Sequence, residues 1–216
     1  MGTVFKLVDF GCRGVEGLNM ELAAGRCLGL TGPSGSGKSL LLRALADLDP
    51  YEGRMFLDGV EAVRMPAPQW RRKVALLPAE SAWWHDTVAP HFDALPASWL
   101  EGLGFDARAM EWQISHLSSG ERQRLGLLRM LAQRPAVMLL DEPTANLDPK
   151  NTARVESLLE GLRRETDPVM IWVSHDLDQL RRCCDDIMVL AHGRLTALDE
   201  AAAGDGGDRA PEVPRL

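Results

Sequence analysis

The sequence has no surplus of positive charge, no long apolar run and no cysteine pair at metal-binding spacing. Its 216 residues carry 31 acidic and 24 basic side chains, a formal net charge of −7. Non-specific nucleic-acid binding rests on Lys and Arg pairing with phosphates, so no nucleic-acid partner is expected. No stretch approaches the roughly 18–20 uninterrupted apolar residues that would cross a bilayer, so the chain is not expected to span a membrane or form a pore by itself. Met1-Gly2-Thr3-Val4-Phe5-Lys6 lacks a charged segment followed by an apolar one, and no secretory signal is expected there. Cys12, Cys27, Cys183 and Cys184 contain no C-x-x-C spacing, which points to reduced, mostly packed thiols. There is no internal repeat, and no heptad run that would make a long coiled coil. What is present is a 45% apolar composition, normal for a globular domain and against disorder. The length suits one large α/β domain.

Residues 4–10 and 15–22 alternate apolar and polar as antiparallel strands do, punctuated by Gly11, Gly14 and Gly17. A buried strand is predicted at 27–31, then a Gly-rich turn and a helix over about 38–48. Strands follow at 53–57 and 74–77. Residues 80–116 read as turns and short helices, with four of the six tryptophans: Trp83, Trp84, Trp99 and Trp112. A helix over 119–133 stops at Arg134-Pro135. The wholly apolar run 137–140 fits a central parallel strand covered on both faces. A helix over 151–165, strand 169–173, helix 176–184, strand 187–190 and short strand 195–198 complete a βαβ alternation. The last stretch, 199–216, has five acidic residues, three glycines and two prolines with few large apolar side chains, and is expected to be a disordered acidic tail.

Gly32-Pro33-Ser34-Gly35-Ser36-Gly37-Lys38-Ser39 fits G-x-x-x-x-G-K-[ST] after a predicted strand and before a helix. Glycines let successive backbone N–H groups turn around an anion, and the helix N-terminus adds its positive end. Lys38 is placed to reach the β- and γ-phosphates of a nucleotide and Ser39 to ligate Mg²⁺. The alternative dinucleotide fingerprint fails, because Leu40 stands three residues after Gly37. Asp141-Glu142 follows the apolar run 137–140. Asp141 at that strand end would complete the Mg²⁺ shell, and Glu142 would polarise an attacking water.

A third motif narrows the class. Leu117-Ser118-Ser119-Gly120-Glu121-Arg122-Gln123-Arg124 closely resembles the signature of ATP-binding-cassette (ABC) ATPases. Ser118 and Glu121 also fit a plain helix capping box. Glu142-Pro143-Thr144-Ala145-Asn146-Leu147-Asp148 resembles the family's D-loop, and Val173-Ser174-His175-Asp176 its switch histidine. With these ordered motifs over residues 5–198, the chain is identified as resembling the nucleotide-binding domain of an ABC transporter. The resemblance implies a P-loop NTPase core with a mostly parallel sheet, an N-terminal antiparallel β subdomain, and a short helical subdomain inserted at about 80–135 of a domain spanning 1–198. It implies ATP and Mg²⁺ as ligands. Catalysis would fall to Lys38, Glu142 and His175, and nucleotide contacts to Gly32 through Leu40. Ser118, Ser119, Gly120, Glu121 and Asp148 would act across the interface of a head-to-tail homodimer. It further implies a separate transmembrane permease, and thus a place on the cytoplasmic face of the inner (plasma) membrane.

The departures from the family pattern are specific. Ala79 stands where a glutamine usually contacts Mg²⁺ and water, with Glu80 beside it as a substitute. Leu40 replaces a common hydroxyl residue, and Ser119 replaces the first signature glycine. The aromatic ring that usually stacks on adenine falls near Cys12, leaving Phe10 as a candidate in doubtful register. Trp83-Trp84 suggests an exposed anchor for a membrane partner. Two other readings stay open: a non-transport ABC ATPase acting in translation or on DNA, and a P-loop kinase, which leaves Asp148 and His175 unexplained.

Overall fold

The structure, a computed structural model, describes residues 2–199; all of the expected acidic tail except Asp199 lies outside the described residues. Ten strands and six helices follow in order β1 (Val4–Cys12), β2 (Val15–Ala23), β3 (Cys27–Thr31), α1 (Lys38–Leu45), β4 (Glu52–Leu57), β5 (Val60–Glu61), α2 (Ala67–Lys73), β6 (Val74–Leu77), α3 (Ala97–Gly102), α4 (Ser119–Leu131), β7 (Val137–Asp141), α5 (Pro149–Thr166), β8 (Val169–Val173), α6 (Leu177–Cys183), β9 (Asp186–Ala191) and β10 (Arg194–Ala197). They form an antiparallel sheet in the order β2-β1-β4-β5 and a six-stranded sheet in the order β10-β9-β3-β8-β7-β6. The second sheet is parallel from β9 to β6; β10 returns antiparallel through His192-Gly193, both at positive φ. The chain is therefore α/β, with a mostly parallel core and an N-terminal antiparallel layer, as its sequence pattern implied.

The apolar central strands divide their side chains between two cores. Val137 and Leu139 of β7, with Val169, Ile171 and Val173 of β8, pack on the side of α1 and the antiparallel sheet. Met138 and Leu140, with Met170 and Trp172, pack on the side of α4 and α5. Alternation sends successive residues to opposite faces, and helices or strands cover both, so no polar position interrupts either strand.

Two elements escaped the sequence reading. Helix α2 has seven residues of which only Trp70 is buried, too short to repeat a 3.6-residue period. Strand β5 has two residues. Trp70 has no solvent exposure, and its indole N–H donates to the Leu45 carbonyl at 3.0 Å, which fixes α2 to the end of α1. Helix α1 ends at Leu45 rather than Leu48, because Asp47 turns to φ 56° and Asp49 then accepts two bonds from Arg43 at 2.8 Å.

Between β6 and α4 the chain makes α3 and single helical turns at 89–91, 107–111 and 114–116. Leu100, Leu103, Phe105 and Ala109 share a core with Leu125 and Leu128 of α4. Arg124 is buried there: its guanidinium lies 4.5 Å from the centre of the Phe105 ring and donates to the Leu103 carbonyl at 2.5 Å. This segment is thereby anchored to the helix that opens with Ser119.

Candidate nucleotide site

Three neighbouring strands end at one level. Leu30 pairs with Val173 in the β3–β8 ladder, and Asp141 pairs with Val173 in the β7–β8 ladder. The loop 32–37, Asp141-Glu142 and Ser174-His175 therefore leave the same edge of the sheet, where open α/β sheets hold ligands. Sequence positions more than 100 residues apart meet there because parallel pairing aligns their carboxyl ends.

The phosphate loop leaves β3 with Gly32 at φ 143°, and a Cβ at Gly32 would collide with the Leu190 backbone carbonyl. Gly35 (φ 78°) and Gly37 (φ 102°) turn the chain into α1, whose cap carries no side-chain hydrogen bond. Lys38 is buried at 7% exposure; its ammonium donates to the Gly32 carbonyl at 2.8 Å and the Pro33 carbonyl at 3.0 Å. Burial lowers its pKa, while the charges of Glu142 and Asp141 oppose that shift.

Asp141 ends β7 at 7% exposure. Glu142 follows at φ 49°, an uncommon conformation for a side chain of this size. Its backbone N–H donates to the Val173 carbonyl at 3.2 Å, which holds the kink against β8. Burial pushes the Glu142 carboxyl up, and Asp141 adds to this; His175 and Lys38 pull it down. Its Oε1 lies 3.3 Å from His175 Nε2 in a geometry that makes no hydrogen bond, and it has no hydrogen-bond partner among the described residues. The Ser36 hydroxyl in the phosphate loop is likewise buried without a partner among the described residues.

These features fit Mg²⁺ and a nucleotide phosphate. A glycine-lined loop that a Cβ would fill, a buried ammonium and an orphaned hydroxyl suit an anion. Asp141, with the Ser39 hydroxyl one residue beyond Lys38, offers the hard oxygen donors that Mg²⁺ takes. Bound there, Mg²⁺ supplies neutralisation of phosphate charge. Among the described residues no cluster of three or more His, Cys, Asp and Glu makes a self-contained metal site.

The other signature positions lie on the turn that opens α4. Ser118 and Glu121 do form a capping box: the Glu121 N–H donates to Ser118 Oγ at 3.2 Å, and the Ser118 N–H donates to Glu121 Oε2 at 2.9 Å. Ser119 is exposed. A Cβ on Gly120 would sit 3.0 Å from both the Asn146 carbonyl and the Leu147 side chain, so the signature turn rests on the 142–148 loop of its own chain. Asp148 caps α5, accepting from the Asn151 N–H at 2.9 Å; that bond holds its carboxyl below the usual range. Ser118→Ala is expected to lower stability by about 1 kcal/mol through loss of the cap, visible as a lower urea midpoint with an unchanged slope.

Three sequence expectations need correction. Asp9 takes φ 47°, and the β1–β2 register shifts between Leu7 and Phe10. That bulge moves Phe10 to the inner face, where it has no exposure and stacks on Tyr51 at 5.5 Å and 23°. Phe10 is not available to a nucleobase. Second, only one tryptophan of the 83–84 pair is exposed. Trp84 is 65% exposed, whereas Trp83 is half-buried, edge-on to His91 at 4.8 Å and under the Arg129 guanidinium at 4.5 Å. Third, Cys184 lies just past the end of α6, and its thiol accepts from that of Cys27 at 3.3 Å; all four cysteines are free, as expected. Ala79 and Glu80 are both exposed.

Gln179 went unnoticed in the sequence. It is 2% exposed and accepts from Thr144 Oγ1 and Ser174 Oγ, each at 3.0 Å, while its amide donates to Glu156 at 2.7 Å. It thus joins the loop after Glu142 to the turn bearing His175. A polar residue on the inner face of a short helix was the available signal.

The chain's relationships agree with this geometry. Residues 15–145 match the family model described as ABC transporter. Protein STAR1 of Oryza sativa subsp. japonica is 36% identical over 84% of this chain and 56% of its own length. ABC transporter I family member 17 of Arabidopsis thaliana is 32% identical over 88% and 77%. The methionine import ATP-binding protein MetN of Thermobifida fusca is 32% identical over 84% and 62%. The chain thus spans 56–77% of the length of these relatives. The fold is shared with a bacterial Atm1-family ABC exporter solved with ATP bound (TM-score 0.81, 24% identity, 95% of this chain and 41% of that one) and with cbiO1 of Clostridium perfringens, part of the transporter complex cbiONQ (TM-score 0.76, 22% identity, 94% and 92%). By its sheet, its phosphate loop and its match to the family model and these relatives, the chain belongs to the ABC transporter family and carries that family's ATPase domain.

Proposed function

We propose that this chain hydrolyses ATP for an ABC transporter whose membrane-spanning part is a separate chain, by closure of two copies around the nucleotide. The observation that carries the reading is the convergence of Lys38, Asp141, Glu142 and His175 at three adjacent strand ends. Lys38 and the backbone of 32–39 would hold the β- and γ-phosphates, and Ser39 and Asp141 the Mg²⁺. Glu142 would orient water and take its proton; its free, buried Oε1 suits that task. His175, 3.3 Å from Glu142, would steady the same water or the γ-phosphate.

A second copy is part of the reading because the cleft beside the phosphate loop is lined by residues of 11–16, 40 and 49–52, none from the signature turn 118–121. That turn is a helix N-terminus with free polarity to offer, and a partner's nucleotide is what it would meet. Asp148 would stand near that junction.

No helix among the described residues is long and apolar enough to cross a membrane. A groove of about 410 Å³ between α2, β6 and α4 is bordered by Leu48 (45% exposed), Trp84 (65% exposed), Arg71 and Arg129. An exposed tryptophan in a pocket with arginines at its edge suits a helical segment of the membrane partner. Trp84→Ala is expected to weaken retention on membranes holding that partner about tenfold or more, with MgATP affinity unchanged. Co-purification decides the reading as a whole: a membrane protein partner supports it, and a ribosome or DNA complex with no membrane protein overturns it.

A further inference from the structure

The proposed chemistry needs Glu142 and His175 side by side, yet little holds the histidine ring itself. Its side chain is 55% exposed, and Nε2 approaches Glu142 Oε1 at 3.3 Å without a hydrogen bond. Packing does not place such a ring; the backbone on either side of it does. The Ser174 N–H donates to the Leu30 carbonyl at 3.2 Å, and Ser174 Oγ accepts from the Asp176 N–H at 3.1 Å. The turn that carries His175 is thus staked before and after the ring. Across from it, Glu142 opens a loop whose next polar side chain is Thr144.

One buried amide joins these two segments. The Gln179 side-chain oxygen accepts from Thr144 Oγ1 and from Ser174 Oγ, each at 3.0 Å. Its backbone N–H donates to Asp176 Oδ1 at 3.0 Å, and its Nε2 donates to Glu156 Oε1 at 2.7 Å. Glu156, on α5, is held in turn by Arg182 through bonds of 2.6 Å and 3.0 Å. The amide is 2% exposed, with its oxygen shared by two hydroxyls and its nitrogen bound to a charged acceptor. It cannot turn without leaving a buried polar group unpaired, so the network is rigid. Packing of α6 would be served by an apolar residue here, and its cap is already supplied by Asp176. Two hydroxyl partners from two separate loops are more than either role requires.

Resting on the reading of Glu142 and His175 as the hydrolytic pair, we propose that Gln179 is a positioning residue for ATP hydrolysis. By bonding Thr144 and Ser174 at once, it fixes the spacing of His175 from Glu142. A misplacement of about 1 Å at reacting groups costs up to about 100-fold in rate, so a lost tie is felt in the chemical step. Nucleotide affinity is spared, because Lys38 and the 32–39 backbone hold the phosphates and Gln179 bonds to neither.

Single-turnover hydrolysis and calorimetric MgATP affinity, both on the full chain, test this. Gln179→Leu removes every bond of the amide, whereas Thr144→Val cuts only the tie to the loop after Glu142. Each is expected to slow hydrolysis about tenfold with MgATP affinity within about twofold of wild type. The exchanged pair Gln179→Glu/Glu156→Gln keeps an acceptor toward both hydroxyls and a bond between positions 179 and 156. Its rate should stay within about threefold of wild type. In a His175→Ala background neither Gln179→Leu nor Thr144→Val should slow the residual rate further, because residues that act as a unit do not add. A purely structural role would weaken affinity and rate together, or slow His175→Ala again by the full factor; either overturns the proposal. So does a tenfold loss in the exchanged pair, or an unchanged rate in Thr144→Val, which decides the matter even where Gln179→Leu does not fold. Wild type that binds MgATP without hydrolysing it would overturn the hydrolytic reading as well, whereas wild-type hydrolysis with neutral variants removes this proposal alone.

Discussion

Glu142→Gln is expected to lower the rate of ATP hydrolysis by about 10²–10⁴-fold while MgATP affinity changes little. The amide keeps the size and hydrogen-bonding shape of the side chain but cannot accept a proton, and loss of a positioned general base costs about that much. Binding is spared because the phosphate-holding groups, the 32–39 backbone and Lys38, are elsewhere: Lys38 bonds to the Gly32 and Pro33 carbonyls, with Glu142 affecting it only as a nearby charge. With the chemical step blocked, two copies closed over nucleotide should persist. Light scattering at saturating MgATP is then expected to report twice the monomer mass, and a protein that stays monomeric would remove the composite-site part of the reading. Single-turnover rates against pH supply a second check. Burial raises the Glu142 pKa above the ordinary carboxylate range, and only the deprotonated form serves as a base. The wild-type rate should therefore fall as pH drops through that raised value, and this acidic limb should be absent from the residual rate of Glu142→Gln.

Lys38→Ala is expected to weaken MgATP and Mg-tripolyphosphate together, by about 100-fold or more, equivalent to about 2.7 kcal/mol. The ammonium is 7% exposed and lies in the field of Asp141 and Glu142. Removing it takes away the charge-assisted donor to the phosphates and leaves two carboxylates facing an anion uncompensated. Far-ultraviolet circular dichroism should show the fold retained, since the lysine lies at the surface of the core and its bonds are to its own loop. Unchanged tripolyphosphate affinity in Lys38→Ala would place the phosphates outside this loop.

Most of the fold was legible because its signals are local. The wholly apolar run at 137–140 read as a strand covered on both faces and 169–173 as a strand, and both are strands buried at every position. Gly-rich 32–37 before a helical period could be read as an anion cradle from spacing and composition. Short elements were illegible for the same reason: α2 buries a single residue, and one buried residue has no period. The aromatic side chains were misjudged at two positions because their exposure depends on what lies across from them. Phe10 reads as outward under strict alternation, and a bulge at Asp9, matched by Gly53 on β4, reverses it. Trp83 and Trp84 are neighbours in sequence with nothing to distinguish them. His91 and Arg129 lie against both rings, and it is the packing of Trp83 alone against the core around α4 that covers one and leaves the other exposed.

The sequence alone pointed to the groups proposed to carry the chemistry: a lysine after a glycine loop, two carboxylates at a strand end and a histidine at another. These follow from residue type and spacing within single segments. Only the tertiary structure decided that they share one edge, because the register of β3, β7 and β8 is a matter of pairing between segments far apart in the chain. It also decided that the Phe10 ring is covered. A side chain's access to a ligand depends on which face its strand presents, and at Phe10 a single bulge settles that.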